Sequence, residues 1–202
     1  AGSPRDALHH YNTAQELARL TEDPVWLASI LEGTACAVVL QAMPALGYDD
    51  AAFTGEVVGD VVELYRESLQ LYRRHRFETL EIRALMKLTS FLATTKLADT
   101  QRGLRGGFLR DLILLAPKLA DPYDQLLVYL EIAFIFRRLG SPRKVSLWLY
   151  KAVLLSRELN TGSLPSVLCP LHDFLAKLPG LAEGGHRPTP RALERAIAAG
   201  DQ

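Results

Sequence analysis

The stretch Asp121 to Glu158, DPYDQLLVYLEIAFIFRRLGSPRKVSLWLYKAVLLSRE, constrains the fold more than any other part of the chain. It carries the boundaries of two helices. Asp121 can accept hydrogen bonds from the first free backbone N–H groups of a helix. Pro122 suits the first turn, where a missing N–H leaves nothing unpaired. Gly140 fits the left-handed position that ends a helix, and Ser141-Pro142 repeats the start signal at once. Helices joined so closely are predicted to fold back on each other as an antiparallel hairpin. Tyr129, Ile132, Ala133 and Phe136 share one face of the first helix, and Val145, Leu149 and Ala152 share one face of the second. The small residues Ala133 and Ala152 mark where the backbones approach. Tyr129, Phe136 and Leu149 fill the space beside them.

With Gly140 at the turn, this spacing resembles a tetratricopeptide repeat, a helical pair of about 34 residues. The start signals recur at the same interval elsewhere, Ser3 to Asp23 and Asp121 to Ser141. Ala7, Tyr11 and Ala14 repeat the spacing of Val145, Leu149 and Ala152. The first helix therefore reads as the second member of a pair whose partner lies upstream, and the chain as part of a longer protein. The helix opened by Asp23-Pro24 is apolar around most of its girth, which predicts burial on more than one side. Gly33 within it is expected to permit a close helix crossing. Residues 44–59 read as a loop, with a helix resuming near Asp60 along Val61, Leu64, Tyr65, Leu69 and Tyr72. Arg73 to Arg76 turn the chain. Leu80, Ala84, Leu85, Leu88, Phe91 and Leu92 mark the next helix. Residues 96–107 read as a Gly-containing connection, and Phe108 to Leu119 as a shorter helix. After Asn160 a short helix over Leu164 to Leu178 is expected, then a linker and a last helix from Thr189. The predicted class is all-α, with antiparallel helical hairpins stacked as a tetratricopeptide-like α-solenoid over residues 1–178. Residues 179–202 are expected to form a linker and a short C-terminal helix.

Lys+Arg and Asp+Glu both number 23, so the formal net charge is zero. That argues against nucleic-acid binding, which usually brings a basic excess. Hydrophobic residues are 49% of the chain, yet no apolar run is read as long enough to cross a membrane. The polar opening AGSPRD is not read as a signal peptide. Cys36 and Cys169 lie among apolar neighbours and are expected to be buried thiols.

Candidate chemistry is sparse. His9 and His10 are adjacent and point to different helix faces. His75, His172 and His186 lack ligand-spaced partners, so no metal or other cofactor is expected. Gly103, Gly106 and Gly107 beside Arg102, Arg105 and Arg110 lack the Lys-Ser/Thr ending of a phosphate-binding loop and read as a flexible loop. Asp49 and Asp50 are expected in a loop, and Glu78 and Glu81 on a solvated helix face. The cluster Arg73, Arg74, His75 and Arg76 reads as a solvated helix end that complements the dipole. The helix from Tyr123 to Phe136 has no Lys or Asn, residues that carboxylate-gripping tetratricopeptide domains place on their inner face. Its apolar character suits packing against protein.

The run ALHHYNTAQELARLTEDPVWLASILEGTACAVVL resembles the helical repeat-like region of the large subunit specific to TRAPP complex II, the transport protein particle (subunit 9, NIBP type). Tyr11, Ala14, Asp23, Trp26, Leu27, Leu31, Glu32 and Gly33 match that family's helix end, polar turn, Trp-Leu and Leu-Glu-Gly. Glu78 to Leu92 and the run LGSPRKVSLWLYKAVLLS are similar to later helices of the region. Arg143 and Lys144 match its basic pair after the turn glycine. The resemblance implies a non-catalytic scaffold segment of a vesicle-tethering complex that acts as a guanine-nucleotide exchange factor for Rab-type GTPases in Golgi trafficking. The implied partners are other TRAPP subunits and, through the complex, a Rab-type GTPase. The implied location is cytoplasmic, peripheral at the trans-Golgi, with membrane association only through the complex. No catalytic residue carries over. Arg143 and Lys144 are the candidate partner-binding residues. The alternatives are a stand-alone peptide-binding adaptor of the tetratricopeptide type and an all-α enzyme with a site between helices.

Overall fold

The computed structural model describes residues 3–43, 53–95 and 99–159. Among the described residues there are seven α-helices and no strand. They are α1 (Pro4–Leu20), α2 (Pro24–Ala42), α3 (Gly55–His75), α4 (Glu78–Thr94), α5 (Asp99–Leu115), α6 (Pro122–Arg138) and α7 (Pro142–Glu158), with a 3₁₀ turn at Ala116–Lys118. The chain divides into two compact units, Ala1–Leu115 and Ala116–Gln202. The helices expected after Asn160, the boundary at residues 178 and 179, and Asp49, Asp50, Cys169, His172 and His186 lie outside the described residues.

Local chemistry sets the helix ends as the sequence predicted. Ser3 Oγ accepts from the Asp6 N–H at 3.2 Å, while the Asp6 carboxylate accepts from the Ser3 N–H at 3.4 Å, a reciprocal cap. Asp23 Oδ1 accepts from the N–H groups of Val25 and Trp26, both at 3.0 Å. Asp121 Oδ1 accepts from the Tyr123 N–H at 2.9 Å. Gly140 has φ +66°, and the N–H groups of Gly140 and Ser141 donate to the carbonyls of Arg137 and Phe136. This paired closure of a helix end requires the left-handed residue that glycine adopts without a Cβ clash. Arg76 closes α3 by the same bonds at φ +59°, to Arg73 and Tyr72 through its own N–H and that of Phe77.

In the first unit each helix packs on the next, α1 on α2 through to α4 on α5. Leu31, Ala35, Val61, Leu69, Ile82, Leu85, Leu88 and Leu112 are buried. α2 packs against both α1 and α3, so its apolar girth is buried on two sides. Gly33 makes the expected close crossing: a Cβ there would overlap the Tyr11 ring of α1. In the second unit α6 packs on α7, and Ile132, Ala133, Val145, Leu149 and Ala152 are all fully buried.

Several expectations are corrected. α3 begins at Gly55 rather than near Asp60, because Thr54 Oγ1 accepts from the Val57 N–H at 3.4 Å and caps it there. The predicted connection over 96–107 is mostly helix, since α5 starts at Asp99. Its glycines weaken a helix without forbidding it, and burial of Leu109 and Leu112 holds the segment against α4. Cys36 is exposed, because it falls on the stripe of α2 that also carries exposed Trp26 and Leu40. Finally, α2 is long and apolar enough to cross a membrane by length and composition. Its packing and its ionic residue Glu32 identify it as a core helix of this unit.

Candidate interaction surfaces

Two ionic clamps tie distant helices of the first unit together. Glu32 sits in the middle of α2 with its side chain 9% exposed. One carboxylate oxygen accepts from the Tyr72 hydroxyl of α3 at 2.7 Å, and the other accepts from Lys87 Nζ of α4 at 2.7 Å. Both oxygens are engaged, which satisfies a charge that would otherwise be costly to bury. Burial pushes the Tyr72 hydroxyl up to about 12, with Ser29 pulling it down and Glu32 adding to the rise. The Tyr65 hydroxyl also moves up, mainly through burial and then through the neighbouring Cys36 thiol, whose sulfur lies 4.0 Å away.

Arg73 makes the second clamp. Its Nε donates to Glu81 of α4 at 2.6 Å and its NH2 group to Asp111 of α5 at 2.7 Å. Burial pulls the guanidinium down, but the two carboxylates outweigh it and the net displacement is upward. Arg73 is exposed in the last turn of α3, as expected, and carries these two ion pairs besides. The expected solvated face is corrected at Glu81, which is buried while Glu78 is exposed. These clamps fix helix positions rather than perform chemistry. Each carboxylate oxygen named here already accepts a strong hydrogen bond.

The other candidates are placed as follows. His9 and His10 are exposed, with ring centroids 5.9 Å apart, and His75 stacks on Phe77 at 6.1 Å. Among the described residues no group of three or more His, Cys, Asp or Glu is arranged to hold a metal ion. Gly103, Gly106 and Gly107 lie within α5 and form no phosphate cradle. Burial, and then repulsion by Arg102, hold the Arg105 guanidinium below its ordinary value.

Arg143 and Lys144 are exposed in the first turn of α7. Positive charge there opposes the helix dipole. Lys144 offsets this by lying over the Phe136 ring of α6, with Nζ 5.1 Å from its centroid, so it does not simply point to solvent. Deeper in the pair, Tyr129 and Trp148 meet edge to face at 5.2 Å, and Lys151 covers Trp148 at 4.3 Å. The α6 face is thus a packed aromatic seam. Most of α6 from Leu126 to Phe136 is buried.

Among the described residues the fold is all-α, with each helix packed on the next within its own unit. Residues 1–49 match the family described as Trs120/TRAPPC9, N-terminal domain. Over 151 residues, 72% of this chain, it is 38% identical to the trafficking protein particle complex II-specific subunit 120 homolog of Arabidopsis thaliana. It is 37% identical over 156 residues to the protein of the same description from Oryza sativa subsp. japonica. Over the matched residues the chain belongs to the Trs120/TRAPPC9 family. It spans about 12% of the length of each of these relatives.

Proposed function

We propose that the chain is a non-catalytic scaffold segment of a TRAPP II-type tethering complex. The observation that carries this reading is the 38% identity to a complex II-specific subunit across 72% of the chain, over a region built entirely of packed helices where described. The helices serve as a rigid array. The clamps at Glu32 and Arg73 each join three helices, which suits a part that transmits position between binding surfaces. Stacking of the hairpins as a tetratricopeptide-like solenoid completes the proposal. Through the complex, the segment contributes to nucleotide exchange on a Rab-type GTPase and to Golgi trafficking. Its location is cytoplasmic and peripheral at the trans-Golgi. Arg143 and Lys144 form part of the partner surface.

The test is affinity capture of the full-length protein followed by mass spectrometry. The small TRAPP core subunits are the expected partners. Recovery of a chaperone as sole partner would overturn the reading in favour of a peptide-binding adaptor. Arg143→Ala and Lys144→Ala should reduce capture, with Lys144→Ala costing no more than about 0.5–1 kcal/mol of stability, the worth of its contact with the Phe136 ring. Unchanged capture would remove both residues from the partner surface.

A further inference from the structure

α1 and α3 pack on different sides of α2, and a groove runs between them. Leu8 of α1, Val38 of α2 and Leu64 of α3, all half-buried, supply its apolar part, and Asn12, Thr34 and Gln70 add uncharged polar groups. Asp60, Glu63 and Glu67 line it along α3. Their spacing places all three on one stripe of the helix, and Glu56 continues that stripe by one more turn. All four are exposed. Among the lining residues Arg66 carries the only positive charge, and it is spent on Glu63 at 2.6 Å. Arg19 reaches Glu67 only at 3.9 Å, between two exposed side chains, where an ion pair contributes little. Like charges at this spacing repel and weaken α3 slightly. Only Glu56 lies close enough to the helix N-terminus to be repaid by the dipole.

We propose that this groove docks a basic amphipathic helix of a partner protein. The apolar face of that helix packs on Leu8, Val38 and Leu64, and Lys or Arg residues along its edge meet Asp60, Glu63 and Glu67. A groove that combines an apolar strip with a charged border suits an amphipathic helix, whose own surface is divided in the same way. The sign of the charge selects the occupant: an acidic helix would meet like charge, and one with an apolar edge would strip water from Asp60 and Glu67 without replacing it. The proposal rests on these residues alone and stands apart from the scaffold reading.

The experiment uses fluorescein-labelled Leu/Lys amphipathic peptides long enough for about four helical turns, about 14–15 residues. They are titrated with the full chain and followed by anisotropy. The Leu/Lys peptide is expected to bind, with affinity falling as salt screens the contact. Asp60→Lys with Glu67→Lys should weaken binding about tenfold or more, about 1.4 kcal/mol. The matched reversal Glu22→Lys with Glu78→Lys, two exposed acids of the same unit outside the lining of the groove, should change it less than about twofold. Asp60→Asn with Glu67→Gln adds no charge and keeps the test valid if the reversal disturbs folding; it should give a smaller loss. Equal binding of a Leu/Glu peptide with the same apolar face would overturn the proposal, as would unchanged binding in both groove variants. A concentration-dependent dimer abolished by the groove variants would also overturn it, because the occupant would then be a second copy of the chain.

Discussion

Replacing Glu32 by Leu tests whether the clamp across α2, α3 and α4 holds the first unit together. The carboxylate side chain is 9% exposed and binds the Tyr72 hydroxyl and Lys87 Nζ at 2.7 Å each. Losing a charge-assisted bond and leaving the hydroxyl of a residue that is 1% exposed without this acceptor costs about 2–4 kcal/mol. Burying the extra apolar surface of Leu returns about 1 kcal/mol, so the net loss is about 1–3 kcal/mol. Tyr72→Phe removes the donor but leaves Glu32 bound to Lys87, for a loss of about 1–2 kcal/mol. Of the groups bound to Glu32, the double variant leaves Lys87 without its partner, and that side chain, 52% exposed, turns to water. The double loss should therefore fall short of the sum by about 1–2 kcal/mol. The assay is urea unfolding of all four proteins followed by far-UV circular dichroism. Losses that add to within about 0.3–0.5 kcal/mol would show that the two side chains are not coupled and that the clamp argument is wrong.

Ala152→Arg should be severe, because Ala152 is fully buried where α6 meets α7. Overpacking alone costs about 1–3 kcal/mol and an unpaired buried charge adds to it, so wild-type melting would mean the helix face is misassigned. Gly106→Ala should stabilise the protein by about 0.8–1.0 kcal/mol, since a Cβ there meets nothing within 4 Å in mid-helix; thermal melting reads the sign. Stability should fall at alkaline pH. Burial raises Tyr72 from 10.0 to about 12, so its contribution is whole below its unfolded value and is lost as pH rises through the folded one. That loss amounts to about 2–3 kcal/mol. Urea midpoints that stay flat from neutral pH to above that range would contradict the burial of this hydroxyl, and Tyr72→Phe should flatten part of the slope.

The features read correctly from the sequence are those set by neighbours along the chain. Ser3, Asp23 and Asp121 announce their helices because a capping side chain reaches backbone only two or three residues ahead. Gly140 announces the α6–α7 turn because only a left-handed residue closes it this way. The uniform apolarity of α2 foretold a helix packed on two sides. Failures occurred where distant residues decide. Glu32 meets Lys87 and Arg73 meets Asp111 across long intervals of sequence, so their carboxylates looked no different from solvated ones. Glu81 follows Arg73 more closely and the turn over 73–76 was read, but the pairing depends on the angle at which α4 leaves that turn. The glycines of α5 read as a loop because propensity is a local measure, while burial of Leu109 and Leu112 settled the outcome. Arg76 in a left-handed conformation gives no sequence signal at all, since Gly or Asn is the usual choice there. The acids of α3 were visible, but the groove beside them needs three helices in place.

The central claim is that this segment supports a complex and does no catalysis itself. Release of a fluorescent guanine nucleotide from a Rab-type GTPase tests it most directly, comparing the isolated chain with the proposed TRAPP II-type complex assembled from the full-length protein. The account predicts that the chain alone leaves the intrinsic release rate unchanged and that the complex accelerates it. Acceleration by the chain alone would contradict the account.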